Sequence, residues 1–148
     1  MSTPIDVPFE TTLLVRDTCL CLHLQRAARA TARRFDDALR PLGLTNGQFS
    51  LMMSLNRPEP PRIGSVAPLL AMDRTTLTAG LKPLERRGLL EVRPDPDDRR
   101  SRLLTLTRAG GMLLAEAVPI WERTHRSLDG LLRGSDPNQL RDDLRSLS

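Results

Sequence analysis

The chain has 148 residues, 39% of them hydrophobic and 27% charged, with a formal charge of +4. That is enough chain for one core and cramped for two, and nowhere do about eighteen apolar residues run together as a membrane span requires, so a single soluble folding unit is expected. Of the 22 Lys and Arg, 21 are Arg, and the segment Arg74–Arg102 sets eight basic residues against five acidic ones, a local excess that favours a polyanionic partner.

Other function classes recede on the same reading. Residues 1–10 lack a basic region followed by an apolar stretch, so they do not read as a secretory signal, and a cytoplasmic location away from membranes is expected. Cys19 and Cys21 are too few for a disulfide framework, and no second Cys or His cluster completes a metal site. His23 and His125 lie far apart with no nucleophile elbow or phosphate-binding glycine loop nearby, which argues against an enzyme and against a cofactor. Three Phe, one Trp and no Tyr offer few platforms for unstacked bases, so a nucleic-acid partner would be duplex rather than single-stranded.

In chain order, apolar or small residues at Leu20, Leu24, Ala28, Thr31, Phe35 and Leu39 predict one helix over about 12–40, with a basic face at Arg26, Arg29, Arg33 and Arg40 and a stop at Pro41 and Gly43. Thr45 and Gln48 have the spacing of a capping box for a helix over 46–56 that buries Phe49, Met52, Met53 and Leu55. The prolines of 57–61 make a loop. A short helix over 64–70 presents Val66, Leu69 and Leu70, with Pro68 near its first turn. Ala71 and Met72 form a tight turn. Asp73 caps a helix over 74–87 with Leu77, Leu81 and Leu84 inward, a kink at Pro83 and Gly88 closing its end. Two helices joined so tightly form a helix-turn-helix. Strands at 89–93 and 102–106 flank a charged loop, a hairpin. Thr107 caps a helix over 108–133, kinked at Pro119, with Leu113, Leu114, Ala117, Ile120, Trp121, Leu128 and Leu132 apolar, and Asp136-Pro137 opens a last helix bearing Leu140, Leu144 and Leu147. The fold class is therefore mainly α with a small β-hairpin.

The side of the 74–87 helix away from its leucines shows Arg74, Thr75, Thr76, Thr78, Ala79 and Lys82. Short side chains let a backbone approach the major groove while hydroxyls reach base edges or phosphates. Arg99 and Arg100 in the hairpin loop have the character of a wing that enters a minor groove or grips phosphates. Asp95, Asp97 and Asp98 would repel phosphates unless they brace the arginines through ion pairs and turn hydrogen bonds. On the residues alone, a solvated helix face and a mixed-charge turn remain open as alternatives.

From Leu44 to Gly110 the chain resembles the multiple-antibiotic-resistance regulator (MarR) family. The resemblance is carried by Asp73-Arg74-Thr75-Thr76-Leu77-Thr78, by Leu84-Glu85-Arg86-Arg87-Gly88-Leu89-Leu90, by Asp95-Pro96-Asp97-Asp98-Arg99-Arg100, and by Leu104-Thr105-Leu106-Thr107-Arg108-Ala109-Gly110. It implies a winged helix-turn-helix DNA-binding lobe over 45–107 flanked by N- and C-terminal dimerisation helices over 12–42 and 108–148, all within one unit of 1–148. It implies a homodimeric, double-stranded-DNA-binding transcriptional regulator, a repressor acting on a pseudo-palindromic operator. Arg74, Thr75, Thr76, Thr78, Ala79, Lys82, Arg99 and Arg100 form the candidate DNA-contact set, with Asp98 and Arg100 as a structural pair in the wing. Leu13, Leu14, Leu140, Leu144 and Leu147 are the dimer-interface candidates, whose apolar stripes would otherwise lie exposed.

The resemblance also implies a small amphipathic or phenolic effector bound between the two parts, with His23, Arg26, Met52, Met53 and Trp121 as pocket candidates. Cys19 and Cys21 are candidates for redox sensing; about 200° apart on a helix, they would not bond to each other within it. The competing class is a winged-helix module that contacts proteins without specific DNA affinity.

Overall fold

The computed structural model describes residues 6–148, so half of the N-terminal stretch read above as lacking a secretory signal lies outside the described residues. Seven α-helices and one hairpin follow in the order α1 (Phe9–Thr18), α2 (Leu20–Leu39), α3 (Asn46–Ser54), α4 (Ile63–Leu69), α5 (Arg74–Arg86), β1 (Leu90–Pro94), β2 (Arg102–Leu106), α6 (Arg108–Asp129) and α7 (Pro137–Arg145), with a 3-10 turn at Arg40–Leu42. The strands pair antiparallel with Leu90 opposite Leu106 and Pro94 opposite Arg102. Arg62 adds an isolated bridge to Leu103, so the residue before α4 is stitched to the hairpin.

Local chemistry sets most of these boundaries. Thr45 accepts from the Gln48 amide while the Gln48 side chain reaches back to the Thr45 amide, the reciprocal cap expected from their spacing. Asp73, Thr107 and Asp136 cap α5, α6 and α7 with their side chains. Three chain reversals share one hydrogen-bond pattern, in which two successive amides past the helix end reach carbonyls three and five residues back. At Gly43 the bonds go to Arg40 (2.9 Å) and, from Leu44, to Leu39 (3.4 Å); at Ala71 to Pro68 (3.1 Å) and, from Met72, to Ala67 (2.9 Å). At Gly88 they go to Glu85 (2.9 Å) and, from Leu89, to Leu84 (3.0 Å).

The core is built from α3, α4, α5, the hairpin and the N-terminal half of α6. Met52, Val66, Leu77, Leu84 and Leu104 are fully buried, joined by Leu39 from the end of α2 and Leu114 and Ala117 from α6. By contrast α1 and α7 bury no residue at all. The molecule is thus a tight lobe with a helical arm in which α2 packs on α6, and α1 and α7 continue from those helices without burying a residue.

One junction ties α5 and the hairpin to the head of α6. Thr107 donates its amide to the Leu89 carbonyl (3.1 Å) and its hydroxyl to the Gly88 carbonyl (2.5 Å), and its hydroxyl oxygen accepts from the Gly110 amide (3.0 Å). Gly110 lies so close that an added Cβ would sit 1.9 Å from the Leu89 oxygen. The pattern Leu106, Thr107, Gly110 therefore has a packing reason as well as a capping one.

Several sequence expectations need correction. The helix expected over 12–40 is two helices, broken at Cys19, whose backbone is extended (φ −67, ψ 107). The α1 helix has no buried stripe to hold it in line with α2, so nothing resists the break. Met53 is exposed rather than buried, because the inward face of α3 runs through Phe49, Leu51, Met52 and Leu55. Leu69 is likewise exposed, and Ala67 takes its inward place on α4. Pro68 lies near the end of α4 and not in its first turn. The α6 helix ends at Asp129, short of 133, and both it and α5 remain helical through Pro119 and Pro83.

Two adjacent glycines test the junction. Gly110→Ala should destabilise the protein by about 1–3 kcal/mol or more through overpacking, while Gly111→Ala, whose Cβ meets nothing within 4 Å, should stabilise it by about 0.5–1 kcal/mol. Denaturant melts of the two variants check the contrast.

Candidate nucleic-acid interface

The α5 helix divides its residues cleanly. Leu77, Leu81 and Leu84 are buried against the lobe, while Arg74, Thr75, Thr76, Thr78, Ala79 and Lys82 are all exposed. At 3.6 residues per turn, Thr75, Thr78, Ala79 and Lys82 fall within an arc of about 100° opposite the leucines, and Arg74 and Thr76 flank it. Burial of the leucines thus aims the threonines outward.

The first turn of α5 is tied down by Asp73. Its carboxylate accepts from the Thr76 amide (2.7 Å) and from the Thr76 hydroxyl (2.8 Å). Those hydrogen bonds, the amide first, hold the Asp73 carboxyl below the ordinary carboxylate range. The Thr76 hydroxyl is consequently spent on the cap, and Thr78 donates to the Arg74 carbonyl (2.7 Å), leaving both oxygens free to accept. At the other end, Arg87 Nη1 donates to the Gly43 carbonyl (2.7 Å), fastening α5 to the end of α2.

The hairpin loop leaves Arg99 and Arg100 exposed, with Arg100 sharing a cleft with Arg74 of α5, while Asp95 and Asp98 hold the loop itself. The Asp98 carboxylate accepts from the Arg100 main-chain amide (3.0 Å), so the expected pair is made to backbone, not to the guanidinium. Asp95 is only 3% exposed; its carboxylate accepts from the Asp97 amide (2.9 Å) and faces Arg62 Nε at 2.8 Å. Sequence reasoning read Asp95 as a brace within the loop but overlooked its partner Arg62, and overlooked Arg87, because Arg62 and the Gly43 carbonyl are remote in sequence from the residues they meet.

Comparison with known proteins agrees with this architecture. The MarR family profile matches residues 44–101, from α3 through the helix-turn-helix and β1 to the end of the hairpin loop. The organic hydroperoxide resistance transcriptional regulator of Bacillus subtilis is 31% identical over 101 residues, covering 68% of this chain and 69% of that protein. The chain belongs to the MarR family. Among solved structures, the MosR regulator of M. tuberculosis in complex with DNA superposes with a TM-score of 0.79 at 34% identity, over 87% of this chain and 92% of that one. The transcriptional repressor CouR bound to a 23-mer DNA duplex gives 0.72 at 32% identity, over 86% and 88%.

The remaining candidates of this MarR-family chain are divided between its terminal helices and the lobe. Leu14 (60% exposed), Leu140 (38%), Leu144 (39%) and Leu147 (59%) face solvent, and Leu13 is half-buried. The five pocket candidates do not converge. Met52 is fully buried in the core, and His23 and Arg26 line a groove along α2 with Arg29 and Arg33. Met53 and Trp121 share a different cleft of about 440 Å³ with Phe49, Leu69 and Leu70. Trp121 stacks on His125 at 4.9 Å and on Phe49 at 6.3 Å. Cys19 sits at the break between α1 and α2 and Cys21 is exposed within α2, so the two do not share one helix as expected.

Asp73 provides a pH test. A carboxyl with a lowered pKa stabilises the fold above its ordinary range, and the contribution disappears as acid protonates it. Asp73→Ala should lower the melting temperature at neutral pH, and the gap from the parent protein should close below about pH 4. A gap unchanged by pH would contradict the cap.

Proposed function

We propose that this protein is a homodimeric transcriptional regulator that binds double-stranded DNA and represses by occupying a pseudo-palindromic operator. The observation that supports this most is the exposed short-side-chain face of α5 standing beside an arginine-tipped hairpin on a helix-turn-helix scaffold. In this reading α5 enters the major groove, Thr75, Thr78 and Lys82 meet bases and phosphates, and Arg99 and Arg100 take the adjacent minor groove. Residues 45–107 form the DNA-binding lobe. Residues 12–42 and 108–148 form the dimerisation helices, and a second copy covers the leucines that α1 and α7 leave in solvent.

DNA-bound relatives with TM-scores of 0.79 and 0.72, one of them a repressor, support the same reading. Two-fold symmetry sets the operator half-sites about one helical turn apart. A small amphipathic or phenolic effector fits the apolar cleft around Met53 and Trp121, whose 440 Å³ falls in the range of ligand sites, about 300–1,000 Å³. The protein works in the cytoplasm as a binding protein without catalytic chemistry, and no helix among the described residues is long and apolar enough to cross a membrane.

Selection of bound duplexes from random DNA tests the reading. The parent protein should enrich a two-fold symmetric site. Thr78→Ala should relax one position of it, whereas a residue that touches only phosphate weakens all sequences alike. Arg99→Ala should lower affinity at the flanks. Leu140→Glu with Leu144→Glu should give a monomer by sedimentation with at least a tenfold loss of duplex affinity. Enrichment of no sequence, together with affinity indifferent to salt, would instead indicate a protein-binding module.

A further inference from the structure

We propose that Arg62, held from behind by the buried Asp95, is a DNA-backbone clamp that takes one phosphate in each protomer, at the cleft it shares with Arg74 of α5 and Arg100 of the wing. The proposal rests on the duplex-binding reading above and adds a contact that neither the recognition helix nor the hairpin loop supplies.

Asp95 is unusual for an acid in a loop beside DNA. It is 3% exposed, with its amide bound to the Ser101 carbonyl (3.1 Å) and one carboxylate oxygen bound to the Asp97 amide (2.9 Å). The other oxygen is buried and has no well-aligned hydrogen bond, yet Arg62 Nε lies 2.8 Å from it. The contact is therefore chiefly Coulombic, and it is the only compensation that oxygen receives among the described residues. A buried carboxylate so placed fixes the direction of a guanidinium group.

Arg62 is suited to be directed. Its main chain is stitched to the hairpin, through the bridge to Leu103 and through the Pro61 carbonyl, which accepts from the Leu104 amide (3.0 Å). Its side chain is 52% exposed, with Nε spent on Asp95 and both terminal nitrogens left to donate outward. They border a cleft of about 320 Å³ between the start of α4, the start of α5 and the root of the wing, lined also by Ser65, Arg74, Asp98 and Arg100. Arg74 and Arg100 make no ion pair among the described residues, and one oxygen of Asp98 is already occupied by the Arg100 amide. Three guanidinium groups against one engaged carboxylate suit a phosphodiester, the anion that lies between a groove-bound α5 and a groove-bound wing.

The test is a salt series of equilibrium binding to a duplex enriched by the full-length protein, with melting temperatures measured in parallel. Each neutralised phosphate contributes about 0.9 to the slope of log affinity against log salt, so Arg62→Gln should lower the dimer's slope by about 1.8. Asp95→Asn separates orientation from charge. Removing a negative charge near DNA should tighten binding if charge alone matters, whereas loss of the brace should weaken it about tenfold; the exposed Asp97→Asn, which lacks the Arg62 contact, should not weaken it.

A parental slope in Arg62→Gln, or tightening in Asp95→Asn, would overturn the clamp while leaving the duplex reading intact. If Asp95→Asn fails to fold, the Arg62→Gln slope decides alone. Failure of the parent protein to bind any duplex at low salt would overturn both.

Discussion

Two peptide carbonyls, those of Gly88 and Leu89, hold the geometry of the whole lobe. The last turn of α5 closes at Gly88, β1 leaves from Leu89, and Thr107 at the head of α6 donates to both carbonyls while Gly110 lies against the second. Leu89 is buried and its carbonyl must find a donor, and one threonine serves both it and the carbonyl of the exposed Gly88. As a result the exposed helix, the hairpin and the long helix leading to the arm have fixed relative orientations that do not depend on side-chain packing alone.

From that junction the surface chemistry follows. The leucines of α5 turn inward, so its threonines turn out, and the cap at Asp73 makes the exposed face begin where the polypeptide emerges from the turn at Ala71. Among the acids of the hairpin loop, Asp95 is buried and accepts the Asp97 amide, and Asp98 accepts the Arg100 amide, while Asp97 and Asp98 stay exposed with Arg99 and Arg100. The loop carries three acids and two arginines, and its cationic edge is the cleft where Arg62, Arg74 and Arg100 meet the single acid Asp98. The proposed dimer would duplicate this edge, since the leucines left uncovered on the arm lie away from it in the chain's first and last helices.

Much of this was legible in the residues. The caps at Thr45, Asp73, Thr107 and Asp136 were legible because capping is local chemistry, and the core face of α5 was legible because its leucines repeat at the helical period. The break at Cys19 was not, since it follows from the absence of tertiary support for α1, which no local pattern reveals. Met53 and Leu69 were misplaced for a similar reason: a short helix dense in apolar residues has more than one plausible inward face, and only its neighbours choose. The pairing of Asp95 with Arg62, 33 positions apart in the numbering, and the reach of Arg87 to Gly43 depend on chain reversals whose outcome the fold alone determines. The candidate pocket residues scattered because their positions combined a core methionine with a surface groove and a separate cleft.

In the proposed complex two copies of α5 lie in successive major grooves on one face of a duplex, each with a wing beside it. Chemical footprinting on an enriched duplex measures this most directly. The account predicts two equivalent patches of protected guanine N7 positions about 10–10.5 base pairs apart, each flanked by protected minor-groove sugars. A single asymmetric patch, or protection confined to one groove, would contradict it.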